Sequence, residues 1–183
     1  MAGFPNRCAN VAAPAALRAR GIGLRAARET DLPWLRDLYA STRSAELAAV
    51  PWPEAAKRAF LDQQFALQHA HYLSHFAGAD FLIVKTAQAP LGRLYLDRGA
   101  AQHVLVDISL LPELRGQGIG TALITHAQAL AQAAGCALSL HVLHANPEAR
   151  RLYARLGFLA GDASSTHLAM HWQPAGRAAT PLS

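Results

Sequence analysis

Gly116, Gly118 and Gly120 alternate within LLPELRGQGIGTAL (residues 110–123), where an apolar run hands over to a helix-forming one. Glycines at such a junction let successive backbone N–H groups turn toward one point at the positive end of the helix dipole. That arrangement is a cradle for phosphate, and Arg115 beside it adds a charge-assisted donor. An ordinary flexible turn is the plain alternative. Two nucleotide motifs fail on spacing. A G-x-G-x-x-G loop read from Gly116 meets Thr121 and read from Gly118 meets Leu123, where glycine is required. No Gly-Lys-Ser/Thr triplet exists anywhere in the chain.

The elements that must position this loop are legible as alternating helix and strand signals. Leu24–Ala26 reads as a short strand; Thr30 or Asp31 caps a helix with Pro33 in its first turn and Leu35, Leu38 and Tyr39 on its apolar stripe. Pro51 and Pro53 break the chain before a second helix from Glu54 to Phe76, with Phe60, Leu61, Phe65, Tyr72 and Phe76 at helical spacing. FLIVKT (81–86), Leu91–Leu96 and HVLVDISLL (103–111) read as three meandering strands. A helix over 116–134 stops at Gly135, ALSLHVL (137–143) is a further strand, Asn146-Pro147 caps a last helix, and 158–172 closes as a strand pair. The order β-α-α-β-β-β-α-β-α-β predicts a mixed α/β sheet.

At 183 residues, 52% hydrophobic and 16% charged, the chain is too apolar for disorder and long enough for a sizeable core. It lacks an apolar run of about 18 residues, so no membrane span is expected. Cys8 and Cys136 are too few for a disulfide framework and form no C-x-x-C pair, which points to a reducing compartment such as the cytoplasm. The 17 Lys+Arg against 12 Asp+Glu give +5, but Arg7, Arg18, Arg20, Arg25 and Arg28 all precede the first acid, Glu29. The remainder is balanced, so no nucleic-acid groove follows from net charge. Residues 1–23 and 174–183 are expected to be loose tails around one domain, 24–173.

The glycine loop resembles the R/Q-x-x-G-x-G/A signature of the GCN5-related N-acetyltransferases. Arg115, Gly118 and Gly120 match it, with Ile108 and Leu110 at the apolar positions of the preceding strand and Pro112 before the loop. A second match lies downstream in the family's order: the cap Asn146, ARRLY (149–153) and LGF (156–158). The resemblance covers nearly all of 24–172 and implies a mostly antiparallel central sheet, helices on both faces and a splayed parallel strand pair. It implies acetyl-CoA as cosubstrate and no metal. The N–H groups of Gly116, Gln117, Gly118, Ile119, Gly120 and Thr121, with Arg115, would hold the pyrophosphate. The backbone of Ile108, Ser109 and Leu110 would pair with the pantetheine arm as with an added strand, and an N–H near Leu110 would stabilise the oxyanion. Asn146 would combine capping with a pantetheine contact. Tyr153 falls on the family's usual tyrosine, placed to protonate the departing thiolate.

The family has no fixed base for the amine, whose reference pKa is about 10.4. Asp107 is an acid inside an apolar strand, expected by period-two alternation to lie opposite Val106, Ile108 and Leu110. It is the candidate base or substrate anchor, with a hydrogen-bonded structural acid as the plain alternative. His141 sits similarly in the neighbouring strand. On the second helix, Gln64, Gln68, His71, Tyr72 and His75 share a broad face that either lines an acceptor pocket or meets solvent. His71 and His75 lack a third metal ligand. The expected activity is acetyl transfer from acetyl-CoA to a primary amine of a small molecule or peptide, by direct attack in a ternary complex. Cys136 has no activating base, so no covalent enzyme is expected. A non-catalytic acyl-CoA-binding module on the same fold is the alternative; the acceptor is not legible, and a homodimer is left open.

Overall fold

The computed structural model describes residues 3–5 and 11–174. Its seven strands form one sheet: β1 (Gly23–Ala26), β2 (Asp80–Lys85), β3 (Pro90–Arg98), β4 (Gln102–Leu110), β5 (Ala137–Leu143), β6 (Leu159–Ala163) and β7 (His167–Trp172). The order across the sheet is β1-β2-β3-β4-β5-β7-β6. Every neighbouring pair is antiparallel except β4 and β5. The mixed, mostly antiparallel sheet with one parallel pair agrees with the sequence expectation.

Alternation along the central strands divides the core. Leu82, Val84, Leu94 and Leu96 pack toward α4 (Ile119–Ala133), whose Ile119, Leu123, Ile124, Ala127 and Ala131 recur at helical spacing; Tyr153 of α5 (Pro147–Arg155) joins them. Phe81, Ile83 and Tyr95 face the other way, onto Leu35 and Leu38 of α2 (Leu32–Leu47) and Leu61, Phe65 and Leu73 of α3 (Glu54–His75). Both faces of the central strands are therefore covered. Among the described residues, no helix is long and apolar enough to cross a membrane.

Four local expectations are corrected. Asp31 is the N-cap residue of α2, but its side chain makes no capping bond to it: the carboxylate accepts from the Arg25 guanidinium (2.7 Å) and the Arg28 N–H (2.8 Å), closing a short 3-10 turn ahead of the helix. The second helix ends at His75, with Phe76 as its C-cap, and the glycine-loop helix begins at Ile119 rather than Gly116.

The fourth correction concerns residues 11–23, expected within a loose tail. Val11, Ala13, Leu17 and Ile22 are buried, and a short helix, α1 (Ala15–Arg18), packs on the α4 side. Its end is fastened by two backbone bonds, Ile22 N–H to the Leu17 carbonyl and Gly21 N–H to the Arg18 carbonyl, both 2.9 Å. Gly21 takes φ 71°, and Leu17 and Ile22 share the core. This is a Schellman closure with its accompanying apolar contact. Phe4 also packs edge-on against Phe81. Residues 1–2, 6–10 and 175–183, including Cys8, lie outside the described residues.

Candidate active site

β4 is the strand on which the site is built, and its pairing changes partway along. It runs parallel to β5 from Gln102↔Ala137 to Leu105↔Leu140, and there the ladder stops. At the same point Tyr95 opposes Asp107 while Leu96 opposes Leu105, so Val106 is an extra residue on β4. Such a bulge bends its strand and frees it from one neighbour. The bulge also corrects the expected alternation: Val106 packs on the α2–α3 side with Tyr95 instead of opposing Asp107's face.

Beyond the bulge the backbone polarity is fixed by the other neighbour. The Leu111 N–H donates to the Leu91 carbonyl at 3.0 Å, so residues of that parity face β3. Ile108 and Leu110 then direct their N–H and C=O groups away from β3, into the gap where β5 has departed. An unpaired strand edge of this kind is a template for an amide-bearing chain.

The gap leads to the glycine loop. Gly116 and Gly118 adopt φ 73° and 77°, with Gly118 as N-cap of α4. A Cβ at either position would meet no atom within 4 Å, so the loop borders open space. The first intrahelical acceptor is used by the Ala122 N–H, which bonds the Gly118 carbonyl at 3.0 Å. The N–H groups of Ile119, Gly120 and Thr121 are therefore left without helical partners, at the positive end of a 15-residue helix. Arg115 and Gln117 are exposed on the same loop. The donor set and the free volume fit a pyrophosphate.

Tyr153 and Asn146 come from α5, across the divergence. The Asn146 side chain accepts from the Ala149 N–H at 3.0 Å, the helix cap expected from sequence. Tyr153 is buried, its ring edge-on to Phe158 at 5.7 Å. Burial pushes its phenol pKa above the ordinary value, and the negative charge of Asp107 pushes it the same way. A phenol so placed keeps its proton at neutral and moderately alkaline pH.

Asp107 sits beneath the divergence in a closed polar cluster. Its Oδ1 accepts from Arg93 Nε (2.9 Å) and Ser109 Oγ (2.8 Å), and its Oδ2 from Arg93 Nη2 (2.9 Å) and the Tyr72 hydroxyl (3.0 Å). A carboxylate offers about four acceptor positions, and these four bonds fill them. Arg93 also donates to Gln68 Oε1 at 2.7 Å and is only 2% exposed. Burial alone would lower its pKa; the Asp107 charge and hydrogen bond, together with the adjoining Tyr95 and Tyr72, outweigh that and hold the guanidinium more firmly protonated. Burial, then the Asp107 charge, raises the Tyr72 phenol as well. The neighbouring Tyr95 hydroxyl is fully buried without a partner among the described residues, and burial pushes its pKa up to about 12.

The structure thus joins Asp107 directly to Tyr72 of the expected acceptor face and to Ser109, and through Arg93 to Gln68 of the same face. It does not join Asp107 to His141, which is exposed on β5 just past the last β4 pair. His71 and His75 are also exposed, their rings 4.0 Å apart, with His75 Nδ1 against the His71 carbonyl. Among the described residues no group of His, Cys, Asp and Glu is arranged to hold a metal. Cys136 is buried and unpaired. Sequence reasoning missed Arg93, although a charge between Gly92 and Leu94 in an apolar strand is the same signal that singled out Asp107. A cavity of about 640 Å³ between α2 and α3, lined by Asp37, Ser41, Ser44, Lys57 and Arg58 among others, borders none of the residues named for the site.

The profile of the acetyltransferase (GNAT) family matches residues 34–158. The chain belongs to that family. A curated member, mycothiol acetyltransferase of Sanguibacter keddieii, is 37% identical over 78 residues; the match covers 43% of this chain and 25% of that protein, so the chain spans only part of its length. Two solved structures share the fold. PaiA N-acetyltransferase from Thermoplasma acidophilum, in complex with coenzyme A, superposes with a TM-score of 0.63 at 19% identity, over 84% of this chain and 99% of that one. Naa50 of Arabidopsis thaliana, in complex with a bisubstrate analogue, gives 0.56 at 18% identity over the same shares.

The closed cluster makes a direct test possible. Asp107→Asn removes the counterion of a buried guanidinium and is expected to lower stability by about 3–5 kcal/mol in denaturant titrations. An unchanged midpoint would show that the pair carries no structural burden.

Proposed function

We propose that this protein transfers an acetyl group from acetyl-CoA to the primary amine of a small molecule or peptide, by direct attack within a ternary complex. The observation that carries this reading is one continuous track: an unpaired β4 edge at Ile108 and Leu110 running to the open N–H cradle at 116–121. The coenzyme A held by the Thermoplasma relative supports it, as does the bisubstrate analogue held by the plant relative.

In this reading the N–H groups of Gly116 to Thr121 and the Arg115 side chain bind the pyrophosphate. The backbone of Ile108 to Leu110 hydrogen-bonds the pantetheine amides, and Asn146 adds a contact from the α5 side. The Leu110 N–H polarises the thioester carbonyl and stabilises the oxyanion formed on attack. Tyr153 donates a hydrogen bond to the departing sulfur. Its raised pKa makes complete proton transfer to a thiolate, reference pKa about 8.5, uphill, so the hydrogen bond itself is the stabilising element. Asp107 has no acceptor position free for an amine proton, and we assign it to positioning β4 and α3. The proton then leaves through the exposed His141 imidazole or through water. Gln64, His71 and His75 remain the α3 residues nearest in type to an acceptor lining.

Two measurements test the reading. Calorimetric titration is expected to give acetyl-CoA binding to the wild-type protein and binding weaker by on the order of a hundredfold for Gly118→Glu, which places a charged side chain at a left-handed position facing the cradle. A folded wild-type protein that does not bind acetyl-CoA would favour an inactive scaffold. Tyr153→Phe is expected to lower kcat on the order of 10²-fold with little change in acetyl-CoA affinity. Because the phenol stays protonated, that ratio should hold from pH 7 to about pH 10. Unchanged turnover would make Tyr153 a packing residue.

A further inference from the structure

The segment ahead of β1 lies outside the stretch matched by the family profile, which begins at residue 34, yet it reaches the glycine loop. Arg20 lies within the closure that ends α1, between the C-cap Ala19 and the left-handed Gly21, and its own N–H donates to the Leu17 carbonyl at 2.9 Å, so its backbone is held in place. From there its guanidinium crosses to the loop and donates Nη1–H to the Gln117 carbonyl at 3.0 Å, between the two left-handed glycines. Among the described residues no carboxylate pairs with it. One hydrogen bond anchors the fork and leaves its other N–H groups facing solvent beside the cradle.

We infer that Arg20 is an additional phosphate ligand for acetyl-CoA, supplied by the segment that precedes the family core. The inference rests on the acetyl-CoA reading above. The chemistry favours it on two grounds. A guanidinium presents a planar fork of donors that matches phosphate oxygens, and it stays charged at any working pH. Its anchorage on Gln117 also fixes the side chain before the ligand arrives, which reduces the ordering cost of binding. With Arg115 it sets two cations at the loop against the negative charges of the pyrophosphate and the 3′-phosphate.

The test is calorimetric titration of acetyl-CoA into the wild-type protein, Arg20→Ala and Arg36→Ala at two salt concentrations, with melting curves recorded for each. Arg36 lies on α2, on the opposite side of the sheet, and controls for loss of one positive charge. Arg20→Ala is expected to melt with the wild type, to bind on the order of tenfold more weakly, and to lose affinity less steeply with salt. Arg36→Ala is expected to bind as the wild type does. Repeating the titration with acetyl-dephospho-CoA separates the two phosphates: a penalty that persists assigns Arg20 to the pyrophosphate, and one that vanishes assigns it to the 3′-phosphate. Wild-type affinity and salt dependence in a folded Arg20→Ala would overturn the inference while leaving the acetyl-CoA reading intact. Failure of the wild type itself to bind would overturn both.

Discussion

The buried pair Arg93–Asp107 is the interaction on which the architecture of the site depends. Taking two charges out of water costs several kcal/mol per ion, about as much as good geometry returns, so such a pair survives only when its remaining donors and acceptors are satisfied. Here they are satisfied by residues from two elements: Ser109 on β4, and Gln68 and Tyr72 on α3. The cluster therefore fixes β3 against β4 around the extra residue Val106 and fastens α3 over the same point. A hydrophobic cluster of equal volume would pack as well but would specify neither the register across the bulge nor the angle of α3.

That constraint has a functional consequence. Once β4 bends at Val106, β5 cannot follow it beyond Leu140, and the polar edge at Ile108 and Leu110 is left without a strand. Exposed strand edges are ordinarily a hazard of aggregation. In this fold the edge is short and leads to a loop whose backbone donors likewise lack helical partners. Two sets of N–H groups without ladder or helical partners, one from a strand and one from a helix terminus, thus follow one another along the chain.

Most of the fold was legible because its signals are local. The apolar run of 81–86, the helical spacing of Leu123, Ala127 and Leu130 and the Asn146-Pro147 cap each act within a few residues, and each element is present with its ends shifted by at most a few residues. Gly116 and Gly118 were legible for the same reason, since only glycine takes those dihedrals without strain. The bulge was not: period-two alternation assumes an unbroken ladder, and the extra residue appears only when β3 is laid beside β4. Arg93 as partner of Asp107 is equally non-local. Residues 11–23 were misread from composition, although Ala-Ala-Leu-Arg-Ala-Arg-Gly-Ile carries a closure signal in its glycine followed by isoleucine.

The claim at the centre of this account is that the strand divergence and the glycine loop form one binding track for acetyl-CoA. Amide hydrogen exchange, followed with and without acetyl-CoA, tests it most directly. The account expects the N–H groups of Ile108, Leu110 and residues 116–121 to exchange more slowly when acetyl-CoA is present, while residues 102–105, already paired with β5, change little. Exchange at 108–121 that is indifferent to acetyl-CoA would contradict it, and protection confined to another part of the molecule would place the ligand elsewhere.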